Sequence, residues 1–254
     1  MFINYLKRQR WVSNGYALLI LFTNQFRWSH FKNIFWFVSD YWVIKRTKNK
    51  NFENFKLAPY LNDKTTYTPI DPVYFFQDTW AARKIFELKP NHHYDVGSSA
   101  KTIGILSQFV PITMVDIRPL PLALPNLRFI KGSILDLPFE DNSIQSISSL
   151  CVVEHVGLGR YGDTVNSFGS EESVEELKRV VKIGGTLIFS VPVDRVNTVY
   201  FNAHRAFTRK YILSLFDGFE LLEEQYQYGF ELIASYCPDR GFGTGLFMFR
   251  KLEA

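Results

Sequence analysis

Between residues 93 and 251, short apolar segments typical of β-strands alternate with segments whose apolar residues recur at helical spacing. Helices of this kind supply the crossover connections that parallel strands need. The alternation therefore predicts an α/β fold, with a mostly parallel sheet covered by helices on both faces. The predicted strands are 93–96, 112–115, 127–130, 144–150, 186–191, 220–227 and 245–251, and the predicted helices are 101–109, 172–181, 207–216 and one that begins at Pro72.

The first predicted strand runs into the turn Gly97-Ser98-Ser99-Ala100 and then into a predicted helix. Glycine at such a turn lets the backbone bend tightly, and the free amides that open the helix face a bound ligand. Asp116 ends the second predicted strand, 21 residues after Asp95. Doubly wound folds place a carboxylate there to accept both ribose hydroxyls. This spacing predicts a cofactor that contains a ribose, and by itself it leaves a nicotinamide cofactor open.

Three later segments resemble consecutive motifs of the class I S-adenosylmethionine-dependent methyltransferases. They are residues 132–144 (GSILDLPFEDNSI), 148–156 (SSLCVVEHV) and 177–187 (LKRVVKIGGTL). Together with the first turn they follow in the expected order between about residues 92 and 192, and dehydrogenases do not share the last three. The resemblance implies a Rossmann-like domain with a seven-stranded, mostly parallel sheet, and it implies S-adenosylmethionine as the cofactor.

By position, the resemblance assigns the turn after the first strand to the methionine part of the cofactor, Asp116 to the ribose, and Ser133 and Ile134 to the adenine. The cofactor-binding residues it implies are Asp95, Gly97, Ser98, Ser99, Asp116, Ile117, Ser133, Ile134 and Leu150. The chain departs from the family pattern at Ser99 and Lys101, where further glycines are usual, and at Ser133, where an acid often stands. A scaffold or interaction module that has lost catalysis is therefore the alternative to an enzyme.

The loop EHVGLGRYGD at residues 154–163, with FNAHR at 201–205 and YFFQDTW at 74–80, resembles a more specific group. It is a bacterial methyltransferase-like family of unassigned function that is often found among polysaccharide-biosynthesis genes. The match covers about residues 57–251. It implies a small or sugar-like acceptor and a role in the biosynthesis of surface polysaccharides.

His155 is the candidate general base, because an imidazole accepts a proton near neutral pH. Glu154 is a second catalytic candidate, which would orient His155 or contact the substrate. The candidate substrate residues are Arg160, Tyr161, His204 and Arg205, since guanidinium groups grip carboxylates and phosphates through two hydrogen bonds. Each of these side chains also has a purely structural interpretation. Two distant cysteines, Cys151 and Cys237, predict neither a metal site nor a disulfide framework.

The first fifty residues carry nine Lys or Arg against one acid, so their net charge is +8, while the chain as a whole carries +4. They also contain thirteen aromatic residues, and the pattern at residues 31–42 has helical spacing. We interpret residues 1–50 as a helical appendage and 51–254 as the methyltransferase-like domain. The appendage packs on that domain or binds the surface of a membrane.

The longest apolar run of the appendage, residues 16–22, has seven residues, against roughly 20 for a membrane-spanning helix. No small-residue cleavage site follows it, so a secreted protein is disfavoured and a cytoplasmic one, peripheral to the inner face of the membrane, is the prediction. The remaining 204 residues are net acidic and lack an Asn-Pro-Pro-Tyr motif, which disfavours nucleic acid as a partner.

Overall fold

The computed structural model describes residues 29–47 and 49–253. The packing of the chain defines two compact units, one that ends at Pro69 and one that begins at Ile70. The domain boundary that the sequence predicts, between residues 50 and 51, stays a prediction. The appendage residues 1–28 lie outside the described residues.

The described part of the first unit is built on one helix, α1 (Ser29–Arg46). This confirms the helix expected from the spacing of apolar residues at 31–42. The chain that follows runs back along α1: the Asn33 side chain donates to the Leu61 carbonyl at 2.7 Å, and Lys64 lies 3.7 Å from Asp40. The rings of Tyr41 and Phe55 are 5.5 Å apart.

The second unit begins with α2 (Pro72–Leu88). The Asp71 carboxylate caps it by accepting a hydrogen bond from the Val73 amide at 2.9 Å, and the helix begins at Pro72, as predicted. The buried face of α2 carries Gln77, Trp80, Ala81, Lys84 and Ile85.

Ten strands follow along the chain, with three helices and two short 3-10 segments. The strands are β1 (His93–Val96), β2 (Ile112–Asp116), β3 (Leu127–Lys131), β4 (Ile144–Leu150), β5 (Val181–Val193), β6 (Thr198–Tyr200), β7 (His204–Ala206), β8 (Phe219–Tyr228), β9 (Glu231–Ile233) and β10 (Gly243–Lys251). The helices are α3 (Ala100–Leu106), α4 (Gly169–Val180) and α5 (Arg209–Leu215), and the 3-10 segments are Val153–His155 and Pro238–Arg240.

Eight of these strands form one sheet in the order β3-β2-β1-β4-β5-β10-β8-β9. The first five are parallel, and β10, β8 and β9 join by antiparallel pairing. The predicted Rossmann-like α/β fold is confirmed, with eight strands where seven were expected. The extra strand is β9, a three-residue strand at the edge that is too short for an alternating pattern to reveal.

The core lies on both faces of the sheet, as predicted. On one face α4 and α5 pack over the central strands, with Leu177 and Phe216 in contact with a cluster that includes Phe189 and Phe247. On the other face α2 and α3 contribute Trp80 and Ile103. Because both faces are covered, a ligand can approach the parallel strands only at their ends.

The sequence prediction missed the hairpin of β6 and β7. Each strand has three residues, and neither shows the alternation that marks a half-buried strand. Two predicted helices also end or begin elsewhere: the helix at 101–109 ends at Leu106, and the helix at 172–181 begins at Gly169.

Among residues 29–47 and 49–253, no helix is long and apolar enough to span a membrane. Peripheral contact of the appendage with a membrane stays a prediction. In α1 the side chains of Phe35, Trp42 and Ile44 are exposed, beside the basic residues Lys45 and Arg46.

If the appendage binds membranes, the full-length protein will co-sediment with anionic vesicles, and a chain that begins at Asn51 will stay in the supernatant. The double substitution Phe35→Ser and Trp42→Ser should reduce co-sedimentation in low salt. Equal sedimentation of the three proteins would contradict the prediction.

Candidate functional site

A groove opens where β1, β2 and β4 end, because parallel neighbours deliver their carboxyl ends to one edge of the sheet. Its inner part has a volume of about 120 Å³ and adjoins an outer part of about 660 Å³. The volume of the outer part is typical of small-molecule sites, which run from about 300 to 1,000 Å³. The candidate residues that line the groove are Gly97, Ser98, Ser99, Asp116, Ile117, Ser133, Ile134, Leu150, His155 and Tyr161. The candidates Asp95, Glu154, Arg160, His204 and Arg205 lie behind or beside it.

Gly97 forms the turn after β1 and has φ +72°, in the left-handed region that favours glycine. A Cβ at this position would lie 2.8 Å from Cγ1 of Val152, so the loop after β4 approaches the turn too closely for any side chain. Ser99 has φ −59°, an ordinary value, so a serine fits here without strain although the family usually has glycine. Ser99 makes no side-chain capping bond to α3, which leaves its hydroxyl available to a ligand.

The Asp95 carboxylate is fully buried beneath this turn. It accepts hydrogen bonds from the Ser98 amide at 3.1 Å, the Ser98 hydroxyl at 2.6 Å and the Ser148 hydroxyl at 2.6 Å. Burial raises the pKa of Asp95 to about 6, and the three donors pull it back only in part. Asp95 therefore holds the Gly97 turn from below.

A chain of directed hydrogen bonds continues from Asp95 to His93. Because the Ser148 hydroxyl donates to Asp95, its oxygen accepts from His93 Nε2 at 3.0 Å. In a neutral ring His93 Nδ1 then accepts from the Ser146 hydroxyl at 2.8 Å. Burial lowers the pKa of His93 to about 3, in agreement with this arrangement.

Asp116 and the segment after β3 form the wall at which the resemblance places ribose and adenine. The Asp116 carboxylate accepts from the Arg118 amide at 2.7 Å and from Arg118 Nε at 3.4 Å, both through Oδ1. Oδ2 has no hydrogen-bond partner among the described residues, so it remains available to a hydroxyl. The Ser133 hydroxyl accepts from the Leu135 amide at 3.1 Å and fixes the turn that holds the buried Ile134 in the wall.

These residues fit the cofactor that the resemblance implies. The wall offers a carboxylate for hydroxyl donors and an apolar surface for a flat ring, while the turn at Gly97 brings backbone close to the groove. The three residues that depart from the family pattern, Ser99, Lys101 and Ser133, do not obstruct such a cofactor. Ser99 and Ser133 are small, and the exposed Lys101 lies at the outer part of the groove.

His155 lies in the 3-10 turn that follows β4, half-buried and facing both parts of the groove. Its Nδ1 is 2.7 Å from the carbonyl oxygen of Ala203, which can only accept, so Nδ1 carries the proton. In the neutral ring Nε2 is then the unprotonated nitrogen. Burial lowers the pKa of His155, with Arg160 contributing, so the ring stays neutral at neutral pH. This is the protonation state that a general base needs.

Glu154 points into the interior. Burial raises its pKa to about 8, so it is mostly protonated at neutral pH, and its Oε2 has no hydrogen-bond partner among the described residues. Its Oε1 lies 3.7 Å from His155 Nε2, beyond hydrogen-bond distance. The backbone carbonyl of Ala203, to which the sequence analysis assigned no role, orients His155 in its place.

Tyr161 closes one side of the groove. The guanidinium of Arg118 lies 4.6 Å from the centre of its ring and that of Arg160 lies 5.2 Å away, distances at which cation–π attraction is effective. The loop is held by Asp163, whose carboxylate accepts from the Gly157 amide at 2.6 Å and from the Tyr161 amide at 3.3 Å. Arg118 was missed from the sequence, although its position two residues after the strand-end acid could have indicated it.

Arg205 is buried and serves the scaffold. It donates to the Val156 carbonyl at 2.6 Å, to Ser170 Oγ at 3.1 Å and to the Asn166 carbonyl at 3.1 Å. Every one of these partners belongs to the loop after β4 or to the start of α4, and the side chain is enclosed by them. The substrate role considered for Arg205 therefore has no support in this geometry, whereas its neighbour His204 is only half-buried at the rim of the groove.

The comparisons agree with this fold. The sequence matches the family described as "Caenorhabditis protein of unknown function, DUF268" over residues 139–241, about two fifths of the chain. No curated protein matches the sequence.

Two similar solved structures are methyltransferases. The 1,6-didemethyltoxoflavin-N1-methyltransferase of Burkholderia thailandensis is 16% identical, with a TM-score of 0.53 over 70% of this chain and 79% of that chain. The N-methyltransferase NodS of Bradyrhizobium japonicum is also 16% identical, with a TM-score of 0.51 over 72% of this chain and 89% of that chain. Both of those structures contain S-adenosylhomocysteine. At this identity the likeness shows that the chain has the class I methyltransferase fold.

The buried His93 predicts a specific loss of stability in acid. Unfolding returns its pKa from about 3 to the ordinary value near 6.5, so the unfolded chain binds a proton that the folded chain does not. Stability from this group is complete above about pH 6.5 and is lost as the pH falls. Between about pH 7 and pH 5 the loss of unfolding free energy from this group should amount to about 2 kcal/mol.

The measurement is urea unfolding of the wild type and His93→Gln at these two pH values. Glutamine keeps a donor for Ser148 but does not titrate, so the variant should lose less stability than the wild type on acidification. Asp95, whose raised pKa acts in the opposite direction, is present in both proteins. The matched control is His92→Gln, which replaces a partly buried histidine and should retain most of the wild-type pH dependence. Parallel pH dependences of the wild type and His93→Gln would contradict the assignment.

Proposed function

We propose that this protein is an S-adenosylmethionine-dependent methyltransferase that transfers a methyl group to a hydroxyl of a small or sugar-like acceptor. The proposal includes a role in surface-polysaccharide biosynthesis, which rests on the sequence resemblance. It places the protein at the cytoplasmic face of the membrane because residues 1–50 are basic and rich in aromatic residues. The alternative is a scaffold that keeps the fold without catalysis.

One observation carries the proposal: the cofactor wall and a neutral histidine face the same groove. Gly97, Asp116 and Ile134 form the wall at the ends of the parallel strands, and His155 stands beside it with Nε2 unprotonated. A cofactor wall alone would suit many binding proteins. A base in the same groove is what a hydroxyl acceptor requires.

S-adenosylmethionine, when bound, supplies a methyl group on a positively charged sulfur. The chain has two tasks, which are to hold the acceptor oxygen in line and to take its proton. We assign His155 Nε2 as the atom that takes the proton of the acceptor hydroxyl. Because the Ala203 carbonyl fixes Nδ1–H, the ring cannot turn to present its other nitrogen without losing that hydrogen bond. Glu154, neutral and buried, does not compete for the acceptor's proton at neutral pH.

Asp116→Ala should weaken the binding of S-adenosylhomocysteine about 10- to 100-fold, because it removes a carboxylate that accepts from the ribose. Isothermal titration calorimetry measures this directly. The matched control is Asp136→Ala, which removes an exposed carboxylate from the turn beside Ser133 and should bind like the wild type. If the folded wild-type protein binds neither S-adenosylmethionine nor S-adenosylhomocysteine, the scaffold alternative replaces the proposal.

His155→Gln should lower kcat by about 10²- to 10⁴-fold and leave the affinity for S-adenosylhomocysteine within a few-fold of the wild type. The acceptor for this assay comes from mass-spectrometric screening with isotope-labelled S-adenosylmethionine. Since the pKa of His155 is lowered, the wild-type rate should persist below pH 6.5 and fall only in stronger acid.

A second readout of His155 does not depend on the acceptor. In ¹⁵N NMR of the wild type, the ring should show protonated Nδ1 and unprotonated Nε2 at neutral pH. The matched substitution His92→Gln, outside the groove, should leave kcat unchanged. An unchanged kcat in His155→Gln would exclude the assigned base.

A further inference from the structure

Three rings that the proposed chemistry does not use stand together at the mouth of the groove. The aromatic rim consists of Tyr200 and His204, from the hairpin of β6 and β7, and Phe242, which precedes β10. The centre of the His204 ring lies 5.0 Å from that of Tyr200 and 5.3 Å from that of Phe242. Tyr200 is 40% exposed and Phe242 is 47% exposed, so large apolar faces meet solvent beside a candidate active site.

The rim adjoins the proposed base. The ring centres of His204 and His155 are 6.5 Å apart, and the chain between β6 and β7 supplies the Ala203 carbonyl that holds His155. A molecule that lies on the rim therefore lies beside the ring of the proposed base.

Arg160 gives the rim a positive charge. Its guanidinium donates to the same Ala203 carbonyl at 2.9 Å and lies against the ring of Tyr161. No carboxylate of the described chain forms an ion pair with it. The charge of Arg160 contributes, after burial, to the lowered pKa of both His155 and His204, so it acts on this rim.

The carboxylates near the rim are already bound. Asp194 accepts from the Tyr200 hydroxyl at 2.9 Å and from the Arg195 amide at 2.7 Å, and Asp163 accepts from two amides of its own loop. An incoming anion can therefore pair with Arg160 without displacing a protein carboxylate.

We propose that the aromatic rim and Arg160 form the acceptor subsite and that they select an acidic carbohydrate. The C–H face of a sugar ring packs on exposed aromatic rings, and a sugar carboxylate or phosphate pairs with the guanidinium. The rim alone would hold neutral sugars equally well, and Arg160 supplies the selection for the anion. The assignment of this ligand as the acceptor rests on the proposed function, whereas its binding does not.

Saturation-transfer NMR on the full-length protein tests the subsite with three probes: methyl glucuronide, glucose 1-phosphate and methyl glucoside. At least one acidic sugar should bind more tightly than the neutral glucoside, and the two acidic probes separate a carboxylate from a phosphate ligand. Arg160→Gln should weaken the acidic sugar about tenfold and leave the glucoside unchanged. Arg160→Lys should restore part of the binding, and Phe242→Ala should weaken all three sugars.

Arg83→Gln is the matched control, since this exposed arginine lies on α2 and pairs with Glu87. It should bind all probes like the wild type. The proposal is overturned if no acidic sugar binds at millimolar concentration, if the neutral glucoside binds equally well, or if Arg160→Gln changes nothing while its circular dichroism remains native.

Calorimetry with S-adenosylhomocysteine on the same samples separates the two proposals. Cofactor binding without selection for an acidic sugar leaves the proposed function in place and rejects the subsite. Selection for an acidic sugar without cofactor binding rejects the methyltransferase and leaves a carbohydrate-binding surface.

Discussion

The carboxylate of Asp95 ties the turn after β1 to the adjacent strand β4. Ser98 donates to it from the turn and Ser148 donates to it from β4, and the Ser98 hydroxyl also accepts from the Leu150 amide at 3.0 Å. Hydrogen bonds to a charged group contribute about 1.5–3 kcal/mol each, enough to hold a loop in one shape. The shape of the Gly97 turn, which lines the groove, depends on these buried hydrogen bonds.

A second set of buried hydrogen bonds fixes the loop that contains Tyr161. Arg205 bonds to the carbonyls of Val156 and Asn166, and these contacts draw together the two ends of the loop that contains Tyr161. Gly157 lies where a Cβ would come within 2.1 Å of the Asn166 carbonyl oxygen, so this approach requires glycine. The Gly97 turn and the loop that follows the candidate base are therefore each held by buried hydrogen bonds.

The chemistry of the groove depends on protonation states set by the fold. Neutral His93 lies beneath the Gly97 turn, and neutral His155 stands beside the groove with Nδ1 bound to Ala203. Burial lowers the pKa of both rings, while it raises the pKa of Glu154. The same low-polarity surroundings thus favour a neutral base and a neutral acid side by side.

The sequence by itself determined the fold class and the positions of the main strands along the chain, and it predicted that Gly97 and Asp116 line one groove. These follow from local signals, which are apolar periodicity, a glycine turn and a fixed distance between two strand ends. Only the tertiary structure decided the hairpin of β6 and β7, the burial of Arg205 and the proton position on His155. The two strands of the hairpin have only three residues each, too few for an alternating pattern. The other two features depend on distant partners, such as Ala203 for His155 and Val156 for Arg205, and a pattern within one segment carries no information about such a contact.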